Sequence, residues 1–248
     1  MKKIFLIALL LNLASMGQLH AQLFGGQLKS STSPYPGGTV HCDPQSRTAV
    51  VTVTALTGRI WMDRNLGAQQ VATNRQDPLS YGDLYQWGRG ADGHQCRNSS
   101  TQTGQSSSDQ PGHGNFITRS TGSSTSDWRN PHNGTLWQGV NGVNNPCPLG
   151  FRIPTEAEFN LEKGLWNQND PFAGFNSVLK IPFMGFRETD GVIFFTSQPG
   201  LQFQALWTST ISNNQSKAFQ IRYDGFNGDA YVEVHPRAHG YSVRCIKN

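Results

Sequence analysis

The chain opens on Lys2 and Lys3, followed by an unbroken apolar run from Ile4 to Leu11 and a stretch ending Leu19-His20-Ala21. A positive start, a short apolar centre and a small residue at the end predict a secretory signal peptide over 1–21. The run is far shorter than the roughly 20 residues a membrane helix needs. No later stretch reaches spanning length, so no membrane span is expected. No Cys lies near the predicted cut, which argues against a lipid anchor. Residues 22–47, rich in Gly, Ser and Pro, read as an extended leader.

Beyond the leader, small polar and β-branched residues over Thr48–Thr54 predict a strand. Thr57-Gly58 turns the chain into a second strand, Arg59–Met62, making a hairpin. Tyr81–Trp87 carries aromatics at spacings of four and two and reads as a short helix or irregular core plug. Residues 98–126 contain 14 Ser or Thr among 29 positions, with only Phe116 and Ile117 as large apolars. That composition predicts no packed core, only a surface insertion or mobile loop. Core-like aromatics resume at Trp128 and Trp137, so the insertion is not a domain boundary.

Thr155 and Glu158 have the T-x-x-E spacing of a capping box, predicting a helix to about Trp166. From Leu179 the pattern turns to strands: Leu179–Met184, Val192–Phe195, Leu206–Ser209, Ala218–Tyr223, Ala230–His235 and Tyr241–Ile246. Gly, Asn and Asp punctuate them, as antiparallel connections require.

Composition narrows the function classes. With 15% charged and 10% aromatic residues among 248, neither a long coiled coil nor wholesale disorder fits. Removing 1–21 takes Lys+Arg from 20 to 18 against 16 Asp+Glu, so the net charge falls from +4 to +2. With no basic run, nucleic acid is excluded as a partner. One domain over 48–248 accounts for the rest. Cys42, Cys96, Cys147 and Cys245 predict two disulfides in an exported protein, with three pairings open. No C-x-x-C spacing supports a Cys-based zinc site.

Candidate chemistry is sparse. Glu156 and Glu158 look like paired carboxylates, but capping accounts for them. No Gly-x-Ser-x-Gly elbow or His-Glu-x-x-His pattern is present. His94, with Cys96 two residues on, has the makings of a metal pair; otherwise it, His113 and His132 read as exposed loop residues. Asp224, Asn227 and Asp229 could serve a hard cation such as calcium. Asn227-Gly228 is equally typical of a tight turn. No other cofactor is indicated.

Five runs in order carry a family resemblance: Gly58–Ala68 (GRIWMDRNLGA), Tyr81–Gly88 (YGDLYQWG), Asn145–Glu158 (NPCPLGFRIPTEAE), Leu206–Thr210 (LWTST) and Gly240–Cys245 (GYSVRC). Together, over about residues 40–248, they resemble the Fibrobacter succinogenes major paralogous domain. That family occurs in many exported proteins of Bacteroidetes and Fibrobacteres. It is itself similar to the C-type-lectin-like fold and to the sulfatase-modifying formylglycine-generating enzymes.

The resemblance implies an α+β, C-type-lectin-like domain. Such a domain has a small twisted antiparallel sheet, one or two helices, long irregular loops and neighbouring termini. It implies pairing Cys147 with Cys245 and Cys42 with Cys96. The enzymes' terminal cysteine pair and their Arg-Gly-Gly-Ser-Trp stretch are missing, so enzyme activity does not carry over. The Glu-Pro-Asn and Trp-Asn-Asp motifs of calcium-dependent lectins are also missing.

In this fold the C-terminal loops and strands commonly meet ligands. That makes Asn213, Asn214, Phe226, Asn227 and Tyr231 the candidates, with Tyr223 beside them. Trp207 reads as core, and Asn213 and Asn214 also suit a turn. The expectation is a periplasmic, cell-surface or extracellular adhesion module, not an enzyme, that binds a glycan or surface protein. A structural subunit whose leader adds a strand to a neighbour is one alternative, and a relative of the sulfatase modifiers is another. Oligomeric state is left open.

Overall fold

The computed structural model describes residues 33–45, 47–120, 122–123, 126–195, 202–225 and 227–248. The signal peptide, the first part of the leader (22–32) and Phe226 lie outside the described residues.

The first hairpin forms as the pattern predicts. Strands β1 (Thr52–Thr54) and β2 (Ile60–Met62) pair antiparallel with Val53 opposite Trp61. Gly58 takes φ +78° at the turn, where a side chain would be strained. Short strands follow: β3 (Tyr85–Gln86), β4 (Thr101–Thr103), β5 (Phe116–Thr118) and β6 (Phe151–Arg152). Two helices come next, α1 (Glu156–Gly164) and the one-turn α2 (Ala173–Asn176). After them run β7 (Phe186–Arg187), β8 (Ile193–Phe194), β9 (Gln202–Ser212), β10 (Gln215–Tyr223), β11 (Gly228–His235), β12 (Gly240–Tyr241) and β13 (Ile246–Lys247).

The strands form small sheets ordered β1-β2-β13-β6, β11-β10-β9 and β3-β12-β7-β8, all antiparallel, plus a parallel β4-β5 pair. The class is α+β. Ile246 of the last strand faces Trp61 on one side and Arg152 on the other, so the two ends of the domain share a sheet. The disulfides are Cys42–Cys96 and Cys147–Cys245, the pairing the resemblance implies. Among the described residues no helix is long and apolar enough to cross a membrane.

Helix α1 starts where its capping box sits. Thr155 Oγ1 accepts the Glu158 N–H, and the Glu158 carboxylate accepts the Thr155 N–H at 2.9 Å. Glu158 also accepts two hydrogen bonds from Arg152, at 2.8 and 2.6 Å. Burial opposes its ionisation, yet these bonds prevail and hold its carboxyl at about 2.

Several expectations are corrected. Of the two readings of Tyr81–Trp87, the helix does not form and the irregular core plug does: Leu84, Tyr85 and Trp87 are buried, and only Tyr85 and Gln86 form a strand, β3, pairing with Tyr241 and Gly240. Leu179–Met184 is buried but irregular, because Pro182 has no N–H to give a ladder. Its Leu179 carbonyl accepts instead from the buried Arg244 at 2.8 Å. Tyr241–Ile246 is divided between β12 and β13.

The Ser/Thr-rich stretch is not a coreless appendage. Phe116 and Ile117 are buried, and Ile117 packs with Trp128 and Leu136. Indole N–H groups wire these loops together. Trp128 donates to the Trp87 carbonyl, Trp87 to Thr208, and Trp207 to Tyr85, at 2.7–2.8 Å. Buried tryptophans need such partners, and carbonyls of irregular backbone supply them.

Candidate functional site

A cleft of about 480 Å³ opens on the described surface. That lies within the roughly 300–1,000 Å³ of small-ligand sites. Its walls come from four segments: the leader at 36–40, 90–92, the insertion at 109–114, and 143–146. The leader wall is a turn in which the Thr39 N–H bonds the Pro36 carbonyl at 3.2 Å, with Gly38 at φ +81°. Val40 N–H then bonds the Ala91 carbonyl at 2.7 Å, and the Cys42–Cys96 bridge holds this strap down.

Arg89 organises the opposite side. Its side chain is fully buried, and all five of its N–H groups have acceptors. Two meet Asp92 Oδ2, one Gln86 Oε1, and two the carbonyls of His113 and Asn115. Asp92 Oδ1 takes His94 Nδ1–H at 2.6 Å, and His94 Nε2 accepts the Gln86 N–H at 3.0 Å. Both ring nitrogens are therefore committed to a neutral imidazole. Burial first, and the Arg89 charge second, hold His94 at about 4. Burial opposes ionisation of Asp92, but His94 and Arg89 bring it down to about 2. Gly114 lets the insertion close on this floor, since a Cβ there would lie 2.9 Å from the Asp92 carbonyl oxygen.

Two polar side chains lining the cleft keep unused hydrogen-bonding capacity. Asn144 is 4% exposed, and its Nδ2 is fixed by the carbonyls of Gly88 and Asp109 at 2.8 and 2.7 Å. Its Oδ1 accepts nothing from the described residues, and the side chain lines the cleft. His113 Nδ1 accepts the Asn115 N–H at 3.2 Å, which leaves Nε2–H of the neutral ring as a donor. The cleft carboxylates are balanced, Asp92 by Arg89 and Asp109 by Arg129, each at 2.6–2.7 Å. An uncharged ligand with hydroxyl groups matches this lining.

The sequence-derived candidates lie elsewhere and apart. Asn213 and Asn214 form the β9–β10 turn, with Asn213 at φ +52°. Asp224 and Asn227 lie between β10 and β11 at the other end of the same strands, roughly 25–30 Å away. These two turns cannot share one ligand. Asp224 Oδ1 accepts the Asn227 N–H at 2.8 Å, and Asp224 N–H bonds the Asn227 carbonyl at 3.1 Å, the geometry of a turn. Asp229 pairs in register with Arg222, and Tyr231 with Gln220 in mid-strand. Trp207 is buried core. The His94–Cys96 metal pair does not form, since Cys96 is bridged and His94 is buried. Among the described residues no three His, Cys, Asp or Glu side chains gather closely enough to hold a metal.

A second constellation was not expected from sequence. Gln220 Nε2 bonds His235 Nε2, His235 Nδ1 meets Tyr241 Oη at 3.0 Å, and Tyr241 Oη meets His239 Nδ1 at 3.3 Å. His239 Nε2 ends the chain at Glu188 Oε2, 2.9 Å away. One polarity satisfies every link: Gln220 donates to His235, His235 to Tyr241, Tyr241 to His239, and His239 to Glu188. Both imidazoles are then neutral. Burial, with the neighbouring His239 next, lowers His235 to about 4. The chain is closed within the protein, which makes it a packing device.

Comparison with protein-family models, curated proteins and solved structures gave no match.

Proposed function

We propose that this chain is an exported binding module of C-type-lectin-like architecture, without covalent chemistry, that holds a neutral glycan in the cleft between leader strap and insertion. The observation that carries the reading is Asn144: a buried amide locked by two carbonyls, with its oxygen unmatched beside a cleft of ligand size. The two disulfides support an oxidising compartment. The saturated hydrogen bonding of Asp92 and His94 favours binding over catalysis, since neither is available to move a proton.

The test is a glycan array on the purified protein, repeated with Val143→Trp and His113→Ala. Val143 is 62% exposed, so the indole fills the cleft without disturbing the core. Saturable binding lost in both variants and kept in Tyr231→Ala supports the reading. Binding lost only in Tyr231→Ala moves the site to the β9–β11 sheet and overturns it.

A further inference from the structure

Behind the leader strap lies a second, much smaller cavity of about 20 Å³, room for one water-sized species. Two of the side chains that line it, Asp83 and Tyr85, are 8% and 3% exposed. Neither the Asp83 carboxylate nor the Tyr85 hydroxyl has a hydrogen-bond partner among the described residues. Only the Asp83 backbone is engaged, its N–H bonding the Leu66 carbonyl at 2.9 Å. The carboxylate lies flat against Gly67, where a Cβ would fall 2.2–2.5 Å from its Cγ and oxygens.

A buried carboxylate without a partner is among the costliest groups a fold can hold. The nearby Arg97 lowers the Asp83 carboxyl by its charge, against the larger effect of burial, but does not bond it. Arg97 donates Nε to the Gly82 carbonyl and Nη2 to the Met184 carbonyl, and forms no ion pair with Asp83. Arg64 is paired to Asp63 at 2.7 Å. No Lys or Arg lines the cavity, while the part-exposed Asp43 does. Thr48 adds a hydroxyl oxygen, fixed by the Gly67 N–H at 2.6 Å. His41, also in the lining, is held towards its neutral form by burial and by Arg47. Burial raises Asp83 itself to about 7, so without a compensating charge it takes up a proton near neutrality.

We propose that this cavity is a site for one hard cation of the calcium class, anchored by Asp83, with oxygens of Thr48 and Tyr85 at its wall. A carboxylate, hydroxyl oxygens and water are the ligands such an ion prefers. Bound there, the ion would supply a directly bonded positive charge and tie the leader strap to the Leu66–Tyr85 segment. This inference is independent of the glycan reading.

The experiment is calcium titration of the chelator-stripped full chain by calorimetry, with melting followed in parallel. The expected result is one equivalent bound and a melting rise of about 5–10 °C at 100-fold excess over Kd. Asp83→Asn should abolish both responses, and Asp229→Asn should keep them. Terbium luminescence sensitised by the nearby tyrosines gives a readout that needs no variant. Should Asp83→Asn fail to fold, weakened binding in the part-exposed Asp43→Asn replaces it. No heat and no melting shift in the wild type would mean water alone fills the cavity and would overturn the proposal. Undiminished binding by Asp83→Asn, or loss in Asp229→Asn, would overturn it equally.

Discussion

Arg89 and Asp92, three residues apart, form the joint on which the cleft is built. Nε and Nη2 of the arginine reach the same carboxylate oxygen at 3.1 and 2.7 Å. The remaining guanidinium protons hold the Gln86 side chain and the insertion carbonyls. Floor and far wall are therefore positioned by one buried side chain.

Replacing that side chain should affect fold and cleft together. Arg89→Met leaves Asp92 Oδ2 and two carbonyls without donors, and breaking a buried pair costs about 3–5 kcal/mol. Urea unfolding should show that loss, and proteolysis within 109–114 should accelerate. A variant as stable and protected as the wild type would refute the role given to Arg89.

Acid should weaken the fold through two buried histidines. His94 and His235 are held at about 4, against about 6.5 in an unfolded chain. Between those values the unfolded state binds more protons. The contribution of these two groups is thus constant above about pH 6.5 and lost as pH drops towards 4, while Asp83, raised to about 7, works in the opposite sense and offsets part of it. Urea midpoints at pH 7.5, 5.5 and 4.5 measure this, and His235→Gln should flatten part of the slope. Equal midpoints across the window would exclude it.

Glu158 acts lower on the pH scale. Its carboxyl is held at about 2, against about 4.5 unfolded, so its contribution is present above 4.5 and lost as pH falls to 2. Glu158→Ala removes the cap, worth about 1 kcal/mol, and the bonds from Arg152, worth about 1.5–3 more. Denaturation should show the sum and glycan binding should persist; lost binding in a stable variant would assign Glu158 to the site.

The Cys147–Cys245 bridge closes a span of 98 residues. Its replacement by two serines should cost about 2–5 kcal/mol. Labelling the unfolded, unreduced protein should find no free thiol, and four labelled thiols would remove both bridges from the account.

The hairpin, the capped helix and the long C-terminal strands were legible because each is written locally, as alternation, a turn residue or a fixed spacing. The cleft was not. Its lining comes from four distant segments, and polar composition concealed that Phe116 and Ile117 anchor the insertion. His94 resembles any loop histidine until Asp92 and the Gln86 amide surround it. The loop asparagines were visible as turns, but only the strand register shows that they stand at opposite ends of β10. Asp83 sits in an unremarkable YGD run, and only the packing shows it without a partner.

The last strand lies between β2 and β6, and Cys245 beside it closes the longer bridge. A chain emerging from its N-terminus therefore cannot finish its first sheet until the final residues are free. Closure of that sheet must wait for the whole polypeptide, and until then its edges stay open to chaperones and proteases. A product truncated by even ten residues would lack β12, β13 and the partner of Cys147. Completion of synthesis thus becomes a condition of a closed fold, and a prematurely ended chain keeps Cys147 as an unpaired thiol.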